Sequence, residues 1–545
     1  MRISKWMAGA ALAAFAATTA IGQTASSPLD PVQSAANVKA HMGFLASDLL
    51  QGRDSDSDGY RIAANYVASQ FQQLGVKPGG TNGSFFQPVP MVSYRAVDQG
   101  SYVLRGKNGQ TVTLTPGEDV NVGRVPGQPE TKLSAPLVFV GYGLVAPEHG
   151  RDDYKGVNVK GKIVVVLSGA PEGIQTEERA YYQNVRNKRA VAAARGAVGM
   201  ITVDKPSDEK RRPFKNTARN WQNWAMTWRQ PDGKAFDVAP SVPLLGSIST
   251  VGAEKLFAGA PTTYAALAAA AESKAANPQR FALPWTLDVT LRTESKNSES
   301  MNVVGLIEGS DPKLKNEYVV LSAHLDHIGV STSGEGDRIN NGALDNASGV
   351  ATTLEVGRAF RESGKAPRRS ILLLAVTAEE KGLVGSEYFA RNPTVPLSSI
   401  AADVNLDMPI LFYDFQDVIA FGADRSTIGS AVRRAGERVG VALSPDPLPE
   451  EGLFTRSDHY RFVEVGVPSV FLMTGFQNGG EKAFRGFLAG CYHHPCDDLN
   501  QPIDYAAGAK FARMNYEIAR ELADADARPQ WTKGDFFAGK FANKK

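Results

Sequence analysis

The stretch SILLLAVTAEEKG, Ser370 to Gly382, decides the fold class of this chain. Most of its first nine residues are apolar, which is typical of a strand buried between two layers. The run ends at two adjacent glutamates, Glu379 and Glu380. Acidic residues at the start of a helix are often structural, because they face the positive end of the helix dipole. The surrounding segments decide between that interpretation and a catalytic one.

The segments on either side of this strand alternate between strand and helix patterns. EYVVLSAH, which ends at His324, and IAADVNLD, which ends at Asp407, are predicted strands. Residues 346–363 carry apolar side chains on one helical face. Strands that alternate with helices predict an α/β fold with a mostly parallel central sheet and helices on both faces. Ligands bind beyond the carboxyl ends of such strands, where the histidine and the acidic residues stand.

The first 22 residues are typical of a signal peptide. A basic start at Arg2 and Lys5 precedes an alanine-rich apolar run from Trp6 to Ala20. No later segment approaches the ~20 apolar residues of a membrane span. We therefore expect a periplasmic or secreted protein that has no stable membrane anchor.

The composition is that of a globular protein. The chain has 545 residues, of which 43% are hydrophobic and 21% charged, enough for roughly two to four domains. Once Arg2 and Lys5 are removed from the 59 basic residues, the remainder equals the 57 acidic ones. This balance gives no electrostatic reason to expect nucleic acid as a partner. In an exported protein the two cysteines, Cys491 and Cys496, are expected to form a disulfide, with two free thiols as the alternative.

Five short motifs gather histidines and carboxylates. They are HLDHIG (324–329), NNGALDNASG (340–349), TAEEKG (377–382), NLDMP (405–409) and CYHHPCDD (491–498). The chain has seven histidines, and four of them lie in the first and last motifs. A lone histidine is more often structural, but histidines and carboxylates gathered at several strand ends are better explained by a metal site.

A metal site would also explain why two glutamates are adjacent. Adjacent residues on a helix point about 100° apart, so Glu379 and Glu380 are not expected to bind one ion side by side. One of them can bind a metal while the other accepts a proton from a water molecule. Metal-assisted hydrolysis needs both of these roles.

Together these motifs resemble the co-catalytic di-zinc aminopeptidases of metallopeptidase family twenty-eight, in their secreted bacterial form. The elements H-x-D, A-x-D-N-x-S-G, E-E-x-G-x-x-G-S and C-Y-H-x-x-C-D occur in the family's order. The resemblance implies two Zn²⁺ per chain, with Asp345 bridging them. His324 and Asp407 would bind one zinc, and Glu380 and His493 the other. Three carboxylates and a hydroxide would neutralise the two ions.

The resemblance also implies roles for residues around the metals. Glu379 would be the general base, Asp326 would orient His324, and Tyr492 would stabilise the oxyanion. A cis peptide bond is expected between Asp345 and Asn346. The residues expected on the substrate side are Ser457, Asp458 and His459. Two further histidines stand beside the ligand motifs: the register favours His493 over His494 as the ligand, and His327 is interpreted as structural or as a support for a ligand.

The resemblance further implies a discontinuous peptidase domain. We predict a zinc-peptidase domain from residues 35–130 and 280–525, interrupted by a smaller β-rich protease-associated domain with its linker at residues 131–279. Residues 526–545 would form a C-terminal tail. A polar loop in the insert carries Trp221, Trp224 and Trp228. These rings either pack within their own domain or cover a substrate cleft.

The implied function is that of an exported zinc-dependent aminopeptidase acting on peptides with a free N-terminus. The alternatives are a carboxypeptidase or dipeptidase, a glutaminyl cyclase on the same fold, or a peptide-binding relative without catalysis. All five ligands and Glu379 are present, which disfavours the binding protein. A carboxypeptidase needs a cation for the terminal carboxylate. The ligand motifs contain no obvious arginine for it, although Arg338, Arg456 or a residue of the insert could reach the site.

Overall fold

The computed structural model describes residues 29–273, 278–332 and 334–542. The predicted signal peptide, residues 1–22, lies outside the described residues. Among the helices that are described, none is both long and apolar enough to cross a membrane.

The elements are numbered in chain order. The helices are α1 (Pro31–Leu45), α2 (Asp58–Gln73), α3 (Thr176–Gln183), α4 (Val185–Ala193), α5 (Pro206–Arg211), α6 (Phe214–Arg219), α7 (Thr250–Leu256), α8 (Tyr264–Ala271), α9 (Ser348–Glu362), α10 (Val384–Arg391), α11 (Ile428–Val439), α12 (His459–Val463), α13 (Gly480–Gly490) and α14 (Tyr505–Asp524). The strands are β1 (Lys77–Pro78), β2 (Phe86–Ala96), β3 (Ser101–Gly106), β4 (Thr111–Thr113), β5 (Val120–Val122), β6 (Glu130–Val140), β7 (Val145–Ala146), β8 (Arg151–Asp152), β9 (Ile163–Leu167), β10 (Gly199–Val203), β11 (Ala225–Trp228), β12 (Leu244–Ile248), β13 (Arg280–Ile307), β14 (Tyr318–His324), β15 (Ser370–Val376), β16 (Ile400–Leu406), β17 (Asp417–Phe421), β18 (Ala442–Ser444) and β19 (Ser469–Thr474).

The central sheet confirms the predicted α/β fold. Its inner strands are parallel neighbours in the order β15–β14–β16–β19. Antiparallel strands extend it on both sides, with β13 next to β15 and β17 next to β19. The stretch that ends in the glutamate pair is therefore an inner strand of this sheet.

Helices cover both faces of the central sheet, as the sequence predicts. Side chains of a strand alternate between the two faces. Leu321 and Leu373 pack on one face with Leu354 of α9. Val320 packs on the other face with Phe389 of α10. This burial on both sides is why the strands are nearly continuous apolar runs.

A second sheet combines strands of the segment predicted as an insert with strands on either side of that segment. Its strand order is β4–β3–β13–β6–β9–β10–β12–β5. Strand β13 belongs to both sheets, because residues 280–292 pair with β6 and residues 293–303 pair with β2. Strands β3, β4 and β5 precede residue 131. The bounds given above for the domains stay predictions.

The tryptophan segment packs against the central sheet. Strand β11 pairs antiparallel with β2 of the central sheet. The Trp228 ring stacks on Phe236 at a centroid distance of 4.3 Å and meets Tyr388 of α10 edge-on at 5.5 Å. Arg95 and Lys296 both lie over the Trp224 ring. The loop therefore packs against the central domain as well as against itself.

Candidate active site

The carboxyl edge of the central sheet brings the predicted site residues together. His324 is the last residue of β14, the glutamate pair follows β15, and Asp407 directly follows β16. Asp345 lies in the turn before α9, and His493 lies in the loop after α13. Because parallel strands end at the same edge of a sheet, residues that are distant in the chain meet there.

His324, Asp407 and one oxygen of Asp345 form the first half of a donor cluster. His324 Nε2 lies 3.1 Å from Asp407 Oδ1 and 3.2 Å from Asp345 Oδ1. On the other side of the ring, Nδ1 donates to the backbone carbonyl of Asp326 at 3.1 Å. A histidine whose Nδ1 carries the proton offers the lone pair of Nε2 to a metal.

Glu380, His493 and the other oxygen of Asp345 form the second half. His493 Nε2 lies 3.2 Å from Glu380 Oε2 and 3.3 Å from Asp345 Oδ2. Asp345 is the one residue common to both halves, with Oδ1 in the first and Oδ2 in the second. This is the arrangement that a bridging carboxylate requires.

The charges of the cluster suit divalent metal ions. Burial and the nearby Asp345 oppose ionisation of Glu380, but hydrogen bonds from His327 and His493 outweigh them and lower its pKa to about 2. Burial opposes protonation of His493, yet its hydrogen bonds to Asp345 and Glu380 raise its pKa to about 10. Across the described residues, the ion pairs of the three carboxylates are all with histidines. Imidazole and carboxylate donors of this kind fit zinc.

The side chains of Asn346 and Asp497 hold the turn that carries Asp345. The Asp345–Asn346 peptide bond is cis, as the resemblance implies. Asn346 Nδ2 donates to the Leu406 carbonyl at 2.9 Å, which ties this turn to the strand that precedes Asp407. The carboxylate of Asp497 accepts hydrogen bonds from the Leu344 and Asp345 amides at 2.9 and 3.0 Å. Asp497 is the last residue of the C-Y-H-x-x-C-D motif, and no role was predicted for it from the sequence.

Arg53 is a second residue that the sequence analysis missed. Its guanidinium is buried and donates to the backbone carbonyls of Leu325, Asn341 and Gly342 at 2.9, 2.6 and 3.1 Å, and also to that of Leu45. These bonds join the loops that carry His324 and Asp345. No motif surrounds Arg53, so only the three-dimensional structure reveals this contact.

Glu379 borders the cluster beside the pocket described below. Burial raises its pKa well above the ordinary value, although the nearby His324 opposes the shift. The carboxylate of Asp326 accepts hydrogen bonds from the Glu379 and Glu380 amides, at 3.1 and 3.3 Å. Asp326 was expected to orient His324. In the structure its backbone carbonyl supports His324, because the carboxylate is directed to the glutamate amides.

The two additional histidines differ in position. His327 is buried, and its Nδ1 lies 2.7 Å from Glu380 Oε1 and 3.8 Å from Asp345 Oδ2, so it also stands among the possible metal donors. His494 is exposed, and the described ion pairs of Glu380 are with His327 and His493 and not with His494. The structure therefore brings His493, and not His494, to the carboxylates.

The loop that carries His493 is closed by a disulfide. The sulfur atoms of Cys491 and Cys496 lie 2.18 Å apart. His493 has a left-handed backbone with a φ of 60°. The Tyr492 ring stacks on the His493 ring at a centroid distance of 3.8 Å. Burial raises the pKa of Tyr492, so its hydroxyl remains protonated and can donate a hydrogen bond.

Of the three residues expected on the substrate side, the structure places only Ser457 in the pocket lining. Its hydroxyl donates to Asp407 Oδ2 and accepts from Asn405 Nδ2, both at 2.6 Å. Asp458 and His459 are fully buried behind it. The His459 ring packs between Phe454 and Phe471, and burial lowers its pKa to about 3. Their backbone enters α12, which turns both side chains into the core.

A largely apolar pocket opens beside the donor cluster. Beyond the cluster and Glu379, its charged residues are Glu451 and Arg456. Their side chains are half exposed, and Arg456 Nη1 lies 3.5 Å from Glu451 Oε2. Its apolar lining consists of Met408, Leu453, Phe471, Met473, Phe484 and Leu488. The site can thus hold an apolar side chain next to a set of metal donors.

The chain matches two protein families. Residues 302–519 match peptidase family M28, and residues 133–235 match the PA domain. The solved structure of an aminopeptidase from Aneurinibacillus sp. strain AM-1 aligns with a TM-score of 0.50 at 20% identity, covering 91% of this chain and 94% of that one. This likeness shows a shared fold.

Curated relatives include two kinds of exopeptidase. Leupeptin-inactivating enzyme 1 of Streptomyces exfoliatus is 31% identical over 243 residues, 42% of this chain and 50% of that protein. A probable leucine aminopeptidase 2 of Aspergillus oryzae is 27% identical over 242 residues, 43% and 44% of the two chains. A probable glutamate carboxypeptidase of Arabidopsis thaliana is 30% identical over 182 residues, 32% and 23%. The matched region spans half or less of these relatives.

Proposed function

We propose that the protein is an exported zinc-dependent aminopeptidase, on the basis that residues 302–519 match peptidase family M28. It would remove N-terminal residues from peptides with a free amino group. The observation that carries this proposal is the bridging position of Asp345 between two donor sets beside a largely apolar pocket.

Five residues would hold two zinc ions. His324 and Asp407 would bind one ion, Glu380 and His493 the other, and Asp345 both. Bound zinc supplies the Lewis acidity that lowers the pKa of a water molecule in such a site.

Glu379 is the residue best suited to move the proton. It lies beside the pocket without belonging to either donor set, and burial raises its pKa well above the ordinary value, which makes it a stronger proton acceptor. A carboxylate there can take the proton that the attacking water loses and pass it to the leaving amine. Asp326 would keep Glu379 in place by accepting the hydrogen bonds of the two glutamate amides. Tyr492, a protonated hydroxyl at the pocket, would donate to the developing oxyanion.

The charges of the pocket favour a substrate amino terminus. Asp407, Glu379 and Glu451 all line it, and a buried ammonium group needs such anionic partners. Arg456 is the one lysine or arginine in this lining, and it already faces Glu451. The apolar lining supports a preference for apolar N-terminal side chains, since burying them contributes roughly 1.5–3 kcal/mol each.

A second candidate function is that of a carboxypeptidase or dipeptidase. It is favoured by Arg456, which lines the pocket and could pair with a terminal carboxylate. The deciding experiment compares one leucine-initiated peptide in four forms: free, N-acetylated, C-amidated, and blocked at both ends. Cleavage of the amidated form but not of the acetylated form is expected. Equal cleavage of the free and acetylated forms would overturn the proposal, and cleavage that needs the free carboxylate would establish the second candidate.

A further inference from the structure

One wall of the substrate pocket has no strand to hold it. This pocket wall, defined here as residues 449–456, consists of two short helical turns, Pro449–Glu451 and Leu453–Thr455, joined at Gly452. It presents Glu451, Leu453 and Arg456 to the pocket. Short surface turns open more easily than strands or long helices unless other parts of the molecule pack against them.

Helix α3 of the predicted insert packs against this wall. It contacts both turns. Gly452 has a φ of 60°, and a Cβ at that position would lie 3.0 Å from the Cβ of Ala180 in α3. The backbone of the wall therefore lies directly against the insert, and neither Ala180 nor any other residue of α3 lines the pocket.

The segment after α14 supports the wall from a second direction. Phe537 is fully buried, with its ring 4.9 Å from that of Phe454 and 6.0 Å from that of Tyr460. The neighbouring Phe536 ring lies 5.4 Å from Tyr181 of α3. The aromatic rings of the wall, the insert and the C-terminal segment thus form one cluster.

Arg425 joins the three parts electrostatically. It pairs with Glu177 of α3 and, at 2.9 Å, with Asp535 of the C-terminal segment. Its guanidinium lies over the rings of Phe454 and Phe537, at 5.2 and 4.6 Å from their centroids. All three charged side chains are largely buried. Removing one partner of a largely buried ion pair strongly destabilises a protein, because the remaining charge has no water to solvate it.

We propose that α3 and the segment Asp535–Phe537 brace the pocket wall, so that the insert sets how tightly the peptidase binds its substrate. The inference rests on the proposed function only in identifying the pocket as the substrate site. Glu177, Ala180, Asp535 and Phe537 are positioning residues, since they touch the wall or its neighbours and not the pocket. Loss of the brace is expected to weaken substrate binding more than turnover, because Glu379 and the metal donors lie on other elements.

The charge contacts give the first test. Glu177→Gln and Asp535→Asn each remove one partner of Arg425. Matched controls are Glu178→Gln, the next residue of α3, which pairs with His149 of the insert, and Asp526→Asn, an exposed residue that pairs with Arg368. We expect the two test variants to raise KM for a leucine peptide roughly tenfold with kcat changed less than about threefold, and the controls to change neither.

Hydrogen–deuterium exchange gives a readout that needs no activity. Amides of residues 449–456 should exchange roughly tenfold faster in the two test variants, and at the wild-type rate in both controls. Wild-type exchange and an unchanged KM in the test variants would overturn the proposal, as would equal changes in the controls. If the wild-type protein cleaves no peptide, the proposed function fails, and exchange alone decides whether the brace exists.

Two variants that enlarge a buried alanine test the proposal even if a charge variant fails to fold. Ala180→Leu adds volume between α3 and Gly452, whereas Ala192→Leu adds the same volume to a buried site in the insert's own core. Both should lower the thermal stability of the protein. Only Ala180→Leu should raise KM and speed exchange in the wall. Equal effects of the two variants on KM would contradict the brace.

Discussion

His327 donates a hydrogen bond from Nδ1 to Oε1 of Glu380, with 2.7 Å between the two atoms. A carboxylate can only accept, so the proton of this bond lies on the histidine. The other carboxylate oxygen of Glu380, Oε2, faces His493. His327 therefore fixes the rotation of Glu380 about its last bond and aims the second oxygen at the donor cluster.

The first prediction follows from this contact. His327→Ala leaves Glu380 free to rotate, and the loss of such a supporting partner typically lowers metal affinity about 10–100-fold. Zinc affinity is measured by competition with a chromogenic chelator. His494→Ala is the matched control, because that histidine is exposed, and it should retain wild-type affinity. Equal affinity of the His327→Ala and wild-type proteins would show that Glu380 is held without it.

The second prediction separates the two glutamates. Glu379→Gln keeps the donor set and removes only the proton acceptor, so kcat should fall roughly 10²–10⁴-fold while two zinc ions per chain remain. Glu380→Gln removes a donor and should lose zinc. Elemental analysis and steady-state kinetics on the same preparations measure both effects. Full activity of Glu379→Gln would mean that the two roles are exchanged.

The third prediction concerns Arg456. If the substrate amino terminus enters the site, Arg456→Gln should change kcat/KM for C-amidated peptides less than about threefold, because no carboxylate is there to pair with it. Arg485→Gln, an exposed residue of α13 that pairs with Glu481, is the control. A selective loss of activity on peptides with a free carboxylate would support the carboxypeptidase alternative.

The fourth prediction concerns the pH dependence of stability. Lys188 of the insert is buried, and burial together with the charge of Lys205 lowers its pKa to about 7. The unfolded chain keeps an ordinary lysine, so between about pH 7 and about pH 10 it binds more protons than the folded protein. The contribution of Lys188 to the free energy of unfolding therefore increases with pH across that window, by at most about 1.4 kcal/mol per pH unit.

The variant Lys188→Met tests whether the free energy of unfolding increases with pH because of Lys188. Its ammonium donates to the carbonyls of Leu167 and Gly169 at 2.9 and 2.5 Å, so the variant loses these bonds at every pH. Only the pH-dependent part of the stability should disappear. Urea unfolding at about pH 7 and about pH 9 measures the difference for the wild type and for the variant. The exposed Lys210→Met should behave like the wild type, and an unchanged slope in Lys188→Met would refute the prediction.

Much of the fold and of the donor set follows from local sequence. The parallel strands are apolar runs, and the rule that they end at one edge brings His324, Glu380 and Asp407 together without further information. The contacts that support them depend on the path of distant loops. Arg53 lies 272 positions before the Leu325 carbonyl that it binds. The inward direction of Asp458 depends on how the chain enters α12, which the motif RSDHYRF does not reveal.

The shared strand β13 has a consequence for protein engineering. A recombinant form that lacks residues 131–279 would leave the first half of β13 without its partner β6, and a row of backbone N–H and C=O groups would become an open edge. Such edges pair with other chains and promote aggregation. A graft from a relative would have to carry its own copy of β13 in the same register, because a shift of one residue exchanges the two faces of the strand. The insert therefore cannot be deleted on its own, because β13 supplies paired residues to both sheets.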